Sequence, residues 1–337
     1  MKLKTILFLD NTYPEAYQVS TLNEKAIGGT ESSVIRTALI LSQSYKVIVA
    51  QKSRSKSYSE NENLIFLPKS KIIKYKPDYI IVLRKYNELK NIHKIFPNAQ
   101  LYLWIHTYKN YEYVFKKPGL SKLNINIICN SETHKRHTDK LLKLTKLAKL
   151  LSFFYKKTPV HFCYNPIEKP VLRPIKRNIN KLLFFSSPNK GLDQVIEKFK
   201  KIRVELPDLN LYIANPGYKN LNLEKLSDGI INLGSLAHSE MMHHVRESLC
   251  IFYPQEIFSE TFGLIYAEAH AQETAIIAAD IGSAKEIMHE NNQPIDVRDI
   301  DLIVETIKKW QLNYPTVSYN EKFSNNFIYN QWQKVLG

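Results

Sequence analysis

Two glutamates, Glu260 and Glu268, stand with seven residues between them in YPQEIFSETFGLIYAEAHAQETAIIAADIGSAKE (253–286), with Phe262-Gly263 just after the first. If Glu260 ends a loop and Thr261 caps a helix beginning near Phe262, Glu268 lies about two turns further along that helix. One carboxylate then sits in front of the helix and the other along its side. The helix mouth between them offers backbone N–H groups and partial positive charge, a seat for an anionic leaving group. Carboxylates that bind hydroxyls around an anion seat are what the grip on a nucleotide sugar requires. The plainer alternative is an amphipathic helix carrying two solvated glutamates.

The chain has ten glycines, so their positions carry information. Gly28-Gly29 follows a polar loop after the first apolar run and precedes the helical pattern ESSVIRTALIL. Two glycines there let the backbone approach a ligand closely, and the helix start presents N–H groups to phosphate; the alternative is a loop that needs positive φ. Lys190-Gly191 sits in FFSSPNKGLDQVIEKF, again a strand, a turn and a helix. A lysine at a helix start is mildly unfavourable beside the helix dipole, which favours a diphosphate-binding role over a solvated side chain. Gly217 and Gly234 each end a strand candidate where a nucleobase could stack on backbone. His106 ends the run LYLWIH, where a sugar ring or a packed core is an equal prospect.

The elements that position these residues alternate in type. Strand candidates are 4–9, 46–50, 64–67, 79–83, 100–105 and 125–129, with helices at 30–43, 86–95 and 131–151. The second half repeats the rhythm, with strands at 181–186, 209–214, 230–233, 249–253 and 275–279. Its helices fall at 191–204, 239–248, 263–272, 284–289 and 300–312, and 318–335 reads as one more. Alternation of this kind predicts parallel sheets with helices on both faces. The stretch 156–180 holds four prolines and no helical period, so it reads as the interdomain linker. We therefore expect an α/β protein of two doubly wound, Rossmann-like domains facing a central cleft. Residues 1–165 form the first, 166–315 the second, and 316–337 a helix returning to the first.

Composition bounds the function. At 337 residues the chain is long enough for two cores, and its 44% hydrophobic and 23% charged content is that of a globular protein. No apolar run approaches the ~20 residues needed to cross a bilayer, and the N-terminal run ends at Asp10 as a buried strand would. Cys129, Cys163 and Cys250 lie far apart in apolar contexts, as buried thiols of a reducing cytoplasm do. The ten histidines include His243-His244 and His134/His137 but no matching second ligand cluster, so no metal is expected. Net charge is +15, and residues 1–165 carry 28 Lys and Arg against 11 Asp and Glu, whereas 166–337 carry 19 against 21. A basic first half facing an acidic acceptor or an anionic membrane surface fits that asymmetry. The segment 139–157, with Lys140, Lys143, Lys146 and Lys149 between leucines, reads either as a helix on such a surface or as a domain helix with solvated lysines. No nucleic-acid-binding motif accompanies the charge.

Together these blocks resemble the retaining GT-B glycosyltransferases (glycosyl transferases group 1), a family that includes glycogen synthases, sucrose synthases and phosphatidylinositol mannosyltransferases. AIGGTESSVIRTAL resembles the family's N-terminal glycine loop, SSPNKGLDQVIEKF its phosphate-binding turn, and YPQEIFSETFGLIYAEAHA its paired-glutamate motif. GSAKEIM resembles the segment that follows, and FIYNQWQKVL the C-terminal helix that crosses back. The resemblance implies that Glu260 binds the donor sugar with the backbone N–H groups of Thr261, Phe262 and Gly263, and that Glu268 binds the ribose. It implies that Lys190 and the helix mouth near Gly263-Leu264 hold the diphosphate, that Gly28-Gly29 closes over it, and that His106 lies near the sugar's reacting face. Lysine and helix dipoles would stand in for a divalent metal, so no cofactor beyond the donor is implied. Two departures stand out. Ser186-Ser187-Pro188-Asn189 lacks the family's usual arginine, and Glu273 replaces a usual glycine, where it is expected to disturb the following strand. The function expected is transfer of a hexose-type sugar from a nucleotide-diphosphate sugar to a glycan, lipid or protein acceptor. The alternatives are a weakly active nucleotide-sugar-binding partner of another transferase and, less well matched, an epimerase of the same fold. Location is expected to be cytoplasmic, with the basic half available to an anionic membrane face.

Overall fold

The computed structural model describes residues 3–108, 119–143, 157–214 and 228–337. The chain divides into two compact units. Met1–Val19, Thr30–Pro166 and Asn325–Gly337 make the first, and Ser20–Gly29 and Ile167–Ser324 the second.

In the first half of the chain the strands are β1 (Thr5–Asp10), β2 (Lys46–Gln51), β3 (Tyr58–Ser59), β4 (Leu64–Pro68), β5 (Tyr79–Leu83), β6 (Gln100–Trp104), β7 (Asn126–Cys129) and β8 (Val160–Phe162). They form one sheet in the order β3-β4-β2-β1-β5-β6-β7-β8, parallel except for β3 against β4. The helices there are α1 (Thr21–Glu24), α2 (Gly29–Leu41), α3 (Glu88–Ile95) and α4 (Glu132–Leu142). Central strands such as TILFLD and YIIVL are buried along their whole length, because a parallel sheet covered on both faces has no solvent side. The order reverses between β1 and β5, the place where such sheets open a crevice at their carboxyl ends.

The second half builds a five-stranded parallel sheet in the order β11-β10-β9-β12-β13. Its strands are β9 (Asn178–Phe184), β10 (Asn210–Ala214), β11 (Ile230–Gly234), β12 (Ser248–Tyr253) and β13 (Ala275–Ala278). The helices are α5 (Leu192–Arg203), α6 (His238–Glu247), α7 (Leu264–Ala271), α8 (Ala284–Ile287) and α9 (Ile300–Leu312). Here the order reverses between β9 and β12. The last helix, α10 (Asn325–Leu336), groups with the first unit, where Trp332 packs edge-on against Phe8 at 6.0 Å and Trp104 at 5.1 Å.

Several expectations need correction. The segment 318–335 is not one helix: a 3-10 turn, Glu321–Phe323, precedes α10, and Asn320 caps that turn by accepting from Lys322 N. The stretch read as a linker contains β8 and the start of β9, because a three-residue apolar run is too short to register as a strand signal. Helix α4 ends at Leu142, with Lys143 leaving the helical conformation at φ −57° and ψ 130°, so the helix expected over 131–151 is interrupted there. Residues 144–156, with Lys146 and Lys149, lie outside the described residues, as do Gly217 and residues 109–118.

Glu273 does not disturb the strand after it. It takes a left-handed conformation at φ 56°, and β13 pairs with β12 from Cys250–Ala275 to Tyr253–Ala278. The turn is closed by Glu273 N to His270 O at 3.0 Å and Thr274 N to Ala269 O at 2.9 Å, the backbone pattern in which a helix usually ends on glycine. Its carbonyl accepts from Arg177 Nη2 at 2.9 Å, and its carboxylate pairs with Arg246 at 3.3 Å.

Candidate active site

The carboxyl ends of β9 and β12 flank the reversal in the second sheet, and two loops there bring Lys190 and Glu260 together. After β9 the chain makes a tight turn in which Lys190 N bonds Ser187 O at 2.9 Å and Leu192 N bonds Pro188 O at 3.2 Å. Gly191 completes the turn at φ 88°, where a Cβ would stand 2.5 Å from Gln255 Cβ, so only glycine fits. Gln255 shapes the opposing loop: its Oε1 accepts from Ile257 N at 3.0 Å and Phe258 N at 2.8 Å, and its Nε2 donates to Phe258 O at 2.9 Å.

That loop delivers Glu260, which is 7% exposed. Its Oε1 accepts from Lys190 Nζ at 2.7 Å and from the Tyr253 hydroxyl at 3.1 Å. Lys190 also rides over the Phe258 ring, 4.6 Å from its centre. Burial, then the neighbouring Glu260 charge, holds the Tyr253 hydroxyl well above the usual phenol range, so it stays protonated and donates. The backbone of Glu260 is pinned from the loop after β13. Ser283 N and Oγ both donate to Glu260 O, at 3.0 and 2.9 Å, and Ser283 Oγ reaches Phe262 O at 2.8 Å. Gly282 permits this closeness, since a Cβ there would lie 2.6 Å from Glu260 O.

These bonds explain why α7 starts later than expected. With the carbonyls of Glu260 and Phe262 held by Ser283, residues 260–262 cannot enter the helix, and Gly263 turns left-handed at φ 81° to begin it at Leu264. Thr261 is therefore not the cap, and the helix carries no side-chain cap at its N-terminus. Glu268 is the fifth residue of α7, nearer its mouth than two turns, with a side chain 11% exposed and Oε1 3.9 Å from His238 Nε2 at the start of α6.

Of the remaining expected residues, Gly28 and Gly29 group with the second unit and His106 with the first. Gly28 is buried and Gly29 opens α2, and neither is left-handed, so positive φ is not the reason for the pair. His106 lies two residues beyond β6, its ring 4.6 Å from that of Trp104 and its Nδ1 3.2 Å from Asn130 Nδ2. Burial, then Arg84 and His134, push it well below the usual histidine range, so it is a neutral imidazole. Sequence reasoning missed Arg84, which is left-handed at φ 59° and ties the loop after β1 to the first turn of α2. Its Nη2 bonds Thr12 Oγ1 and, at 2.6 Å, Glu31 Oε1. It also missed Tyr253 and Ser283. The thiols of Cys129, Cys163 and Cys250 are all buried and raised by burial, Cys129 to about 12, so none is a nucleophile at neutral pH. No group of three His, Cys, Asp or Glu side chains that could hold a metal occurs among the described residues.

Residues 180–331 match the family model described as Glycosyl transferases group 1. That stretch, a little under half of the chain, is similar to the family and contains Lys190, Glu260 and Glu268, which supports a transferase. Among solved structures, Anabaena Alr3699/HepE in complex with UDP and glucose is 14% identical with a TM-score of 0.69, covering 99% of each chain. The pneumococcal O-GlcNAc transferase GtfA in complex with UDP and GlcNAc is 13% identical with a TM-score of 0.66, covering 99% of this chain and 98% of that one. These likenesses show the GT-B fold. Among curated proteins, the gpi3 subunit of phosphatidylinositol N-acetylglucosaminyltransferase from Schizosaccharomyces pombe is 26% identical over 106 residues, which is 30% of this chain. The match spans 23% of that relative's length.

Proposed function

We propose that the protein is a retaining glycosyltransferase that moves a hexose-type sugar from a nucleotide-diphosphate sugar to a hydroxyl of a glycan, lipid or protein. The observation that carries the reading is the Lys190–Glu260 pair, seated at the sheet reversal beside the uncapped start of α7. In this reading Glu260 binds sugar hydroxyls, Glu268 binds the ribose, and Lys190 with the first turn of α7 takes up charge as the diphosphate departs. Donors already in place where charge develops lower the barrier without a metal ion. In the same reading the backbone of Thr261, Phe262, Gly263 and Leu264 completes the donor seat, with Gly28-Gly29 over the diphosphate, and His106 is a further candidate in the first unit. UDP in two structures of the same fold supports a nucleoside-diphosphate donor. The basic balance of residues 1–165 fits an acidic acceptor or a cytoplasmic site against an anionic membrane. No helix among the described residues is long and apolar enough to cross a bilayer.

The second reading, a weakly active donor-binding partner of another transferase, draws on the missing arginine at Ser186–Asn189. Proton NMR of donor and acceptor panels, with and without EDTA, separates the readings. Sugar transfer with the donor's anomeric configuration kept, and undiminished by EDTA, supports the first. Binding without transfer supports the second, and an inverted product or an EDTA-sensitive rate refutes retaining, metal-independent transfer.

A further inference from the structure

We propose that Tyr253 is a positioning residue that keeps Glu260 turned toward the donor sugar when Lys190 moves to the diphosphate. The inference rests on the roles proposed for Glu260 and Lys190.

The two donors to Glu260 converge on one oxygen. Oε1 takes both the Lys190 ammonium and the Tyr253 hydroxyl, and Oε2 has no partner among the described residues. The carboxylate is thus held by one oxygen and offers the other. A lysine that turns to a bound diphosphate would, on its own, leave a buried carboxylate without a donor, an expensive state in a low-dielectric site. Tyr253 removes that penalty, because it cannot follow the lysine. It is the last residue of β12 and is 0% exposed, with its ring 5.9 Å from that of Phe184 and 6.2 Å from that of Tyr266. Its hydroxyl also hydrogen-bonds Ser186, in the turn that carries Lys190. One hydroxyl therefore links the diphosphate turn to the sugar-binding carboxylate. Its protonated state persists at neutral pH, so the donation to Glu260 is available throughout the working range.

The test is calorimetry on the full chain with UDP, ADP and GDP and with UDP-glucose, UDP-GlcNAc, ADP-glucose and GDP-mannose. The proteins are wild type, Tyr253→Phe, Glu260→Gln and the double variant. The phenylalanine keeps the ring and removes only the hydroxyl, and its melting temperature checks the fold. We expect Tyr253→Phe to weaken the bound nucleotide sugar about 10- to 100-fold, the effect of losing a hydrogen bond to a charged group. Affinity for the matching free diphosphate should stay within about twofold, and the hydroxyl should matter little once Glu260 is glutamine. Equal weakening of diphosphate and nucleotide sugar, or a full Tyr253→Phe effect in the Glu260→Gln background, overturns the positioning role. If Glu260→Gln abolishes sugar-dependent affinity and Tyr253→Phe changes nothing, Tyr253 is overturned while the reading of Glu260 stands. If the wild type binds no member of the panel, the proposed function falls and the positioning role with it.

Discussion

Replacing Glu273 by glycine should stabilise the second unit, and replacing it by alanine should not. Glu273 is left-handed at φ 56°, a conformation that strains an L side chain by about 1–2 kcal/mol and glycine not at all. Against this, glycine frees the unfolded chain by about 0.4–1 kcal/mol. The carboxylate's pair with Arg246 is 3.3 Å long, and its side chain is 49% exposed, so its loss costs about 0.2–0.5 kcal/mol after solvent screening. The net for Glu273→Gly is a gain of about 0.5 kcal/mol, with Glu273→Ala about 1 kcal/mol below the glycine variant. Alanine loses the same ion pair and keeps the strain, so it falls below glycine. Urea unfolding of the three proteins, followed by tryptophan fluorescence and far-ultraviolet circular dichroism, reads it as midpoint shifts at constant slope. An alanine variant as stable as the glycine variant would refute the reasoning, since it would mean that the left-handed turn stores no strain.

Other perturbations test the site. Lys190→Ala should lower kcat by about 10²–10³-fold with a smaller change in donor KM, as expected for a contact made to developing charge; steady-state kinetics on both parameters checks this. Gly282→Ala should depress activity while leaving most of the fold, because its Cβ would press on Glu260 O at 2.6 Å, and circular dichroism beside turnover separates the two effects. His270 is pushed down to about 4 by burial, with Nε2 on Asn292 Oδ1 at 3.0 Å and Nδ1 accepting from His289 N at 3.0 Å. Below its ordinary value near 6.5 the unfolded chain binds a proton that the folded chain does not. Stability of the second unit should therefore fall as pH drops from about 6.5 toward 4, by up to about 1.4 kcal/mol per pH unit. Urea midpoints taken across that range should lose this slope in His270→Gln.

Much of the architecture was legible because parallel strands buried on both faces are written as plain apolar runs. YIIVL and the helix Ile300–Leu312 stand where their periodicity places them. The short strands β3 and β8 were not legible, since two or three residues carry no period and their pairing is made elsewhere in the chain. At the site, Lys190 and Glu260 were marked by their neighbours, Gly191 and Gly263, but their 2.7 Å contact joins residues 70 positions apart and no local pattern encodes it. Thr261 was misread as a cap because the capping rule is local, whereas Ser283, 22 residues onward, decides where α7 begins. Glu273 was misread for a similar reason. A glycine position was recognised, but a chain that already bonds Thr274 N and Glu273 O can hold a non-glycine residue there at modest strain. Tyr253 left one signal, a hydroxyl closing the apolar run Leu249–Phe252 just before Pro254.

The most direct test is turnover of a radiolabelled nucleotide sugar, once a donor has been identified, by wild type and Glu260→Ala side by side with melting temperatures matched. We predict release of nucleoside diphosphate with label transferred to acceptor by the wild type, and none above background by the variant. Equal turnover by the two proteins would contradict the assignment of Glu260 to the donor sugar, and with it the functional account built on this site.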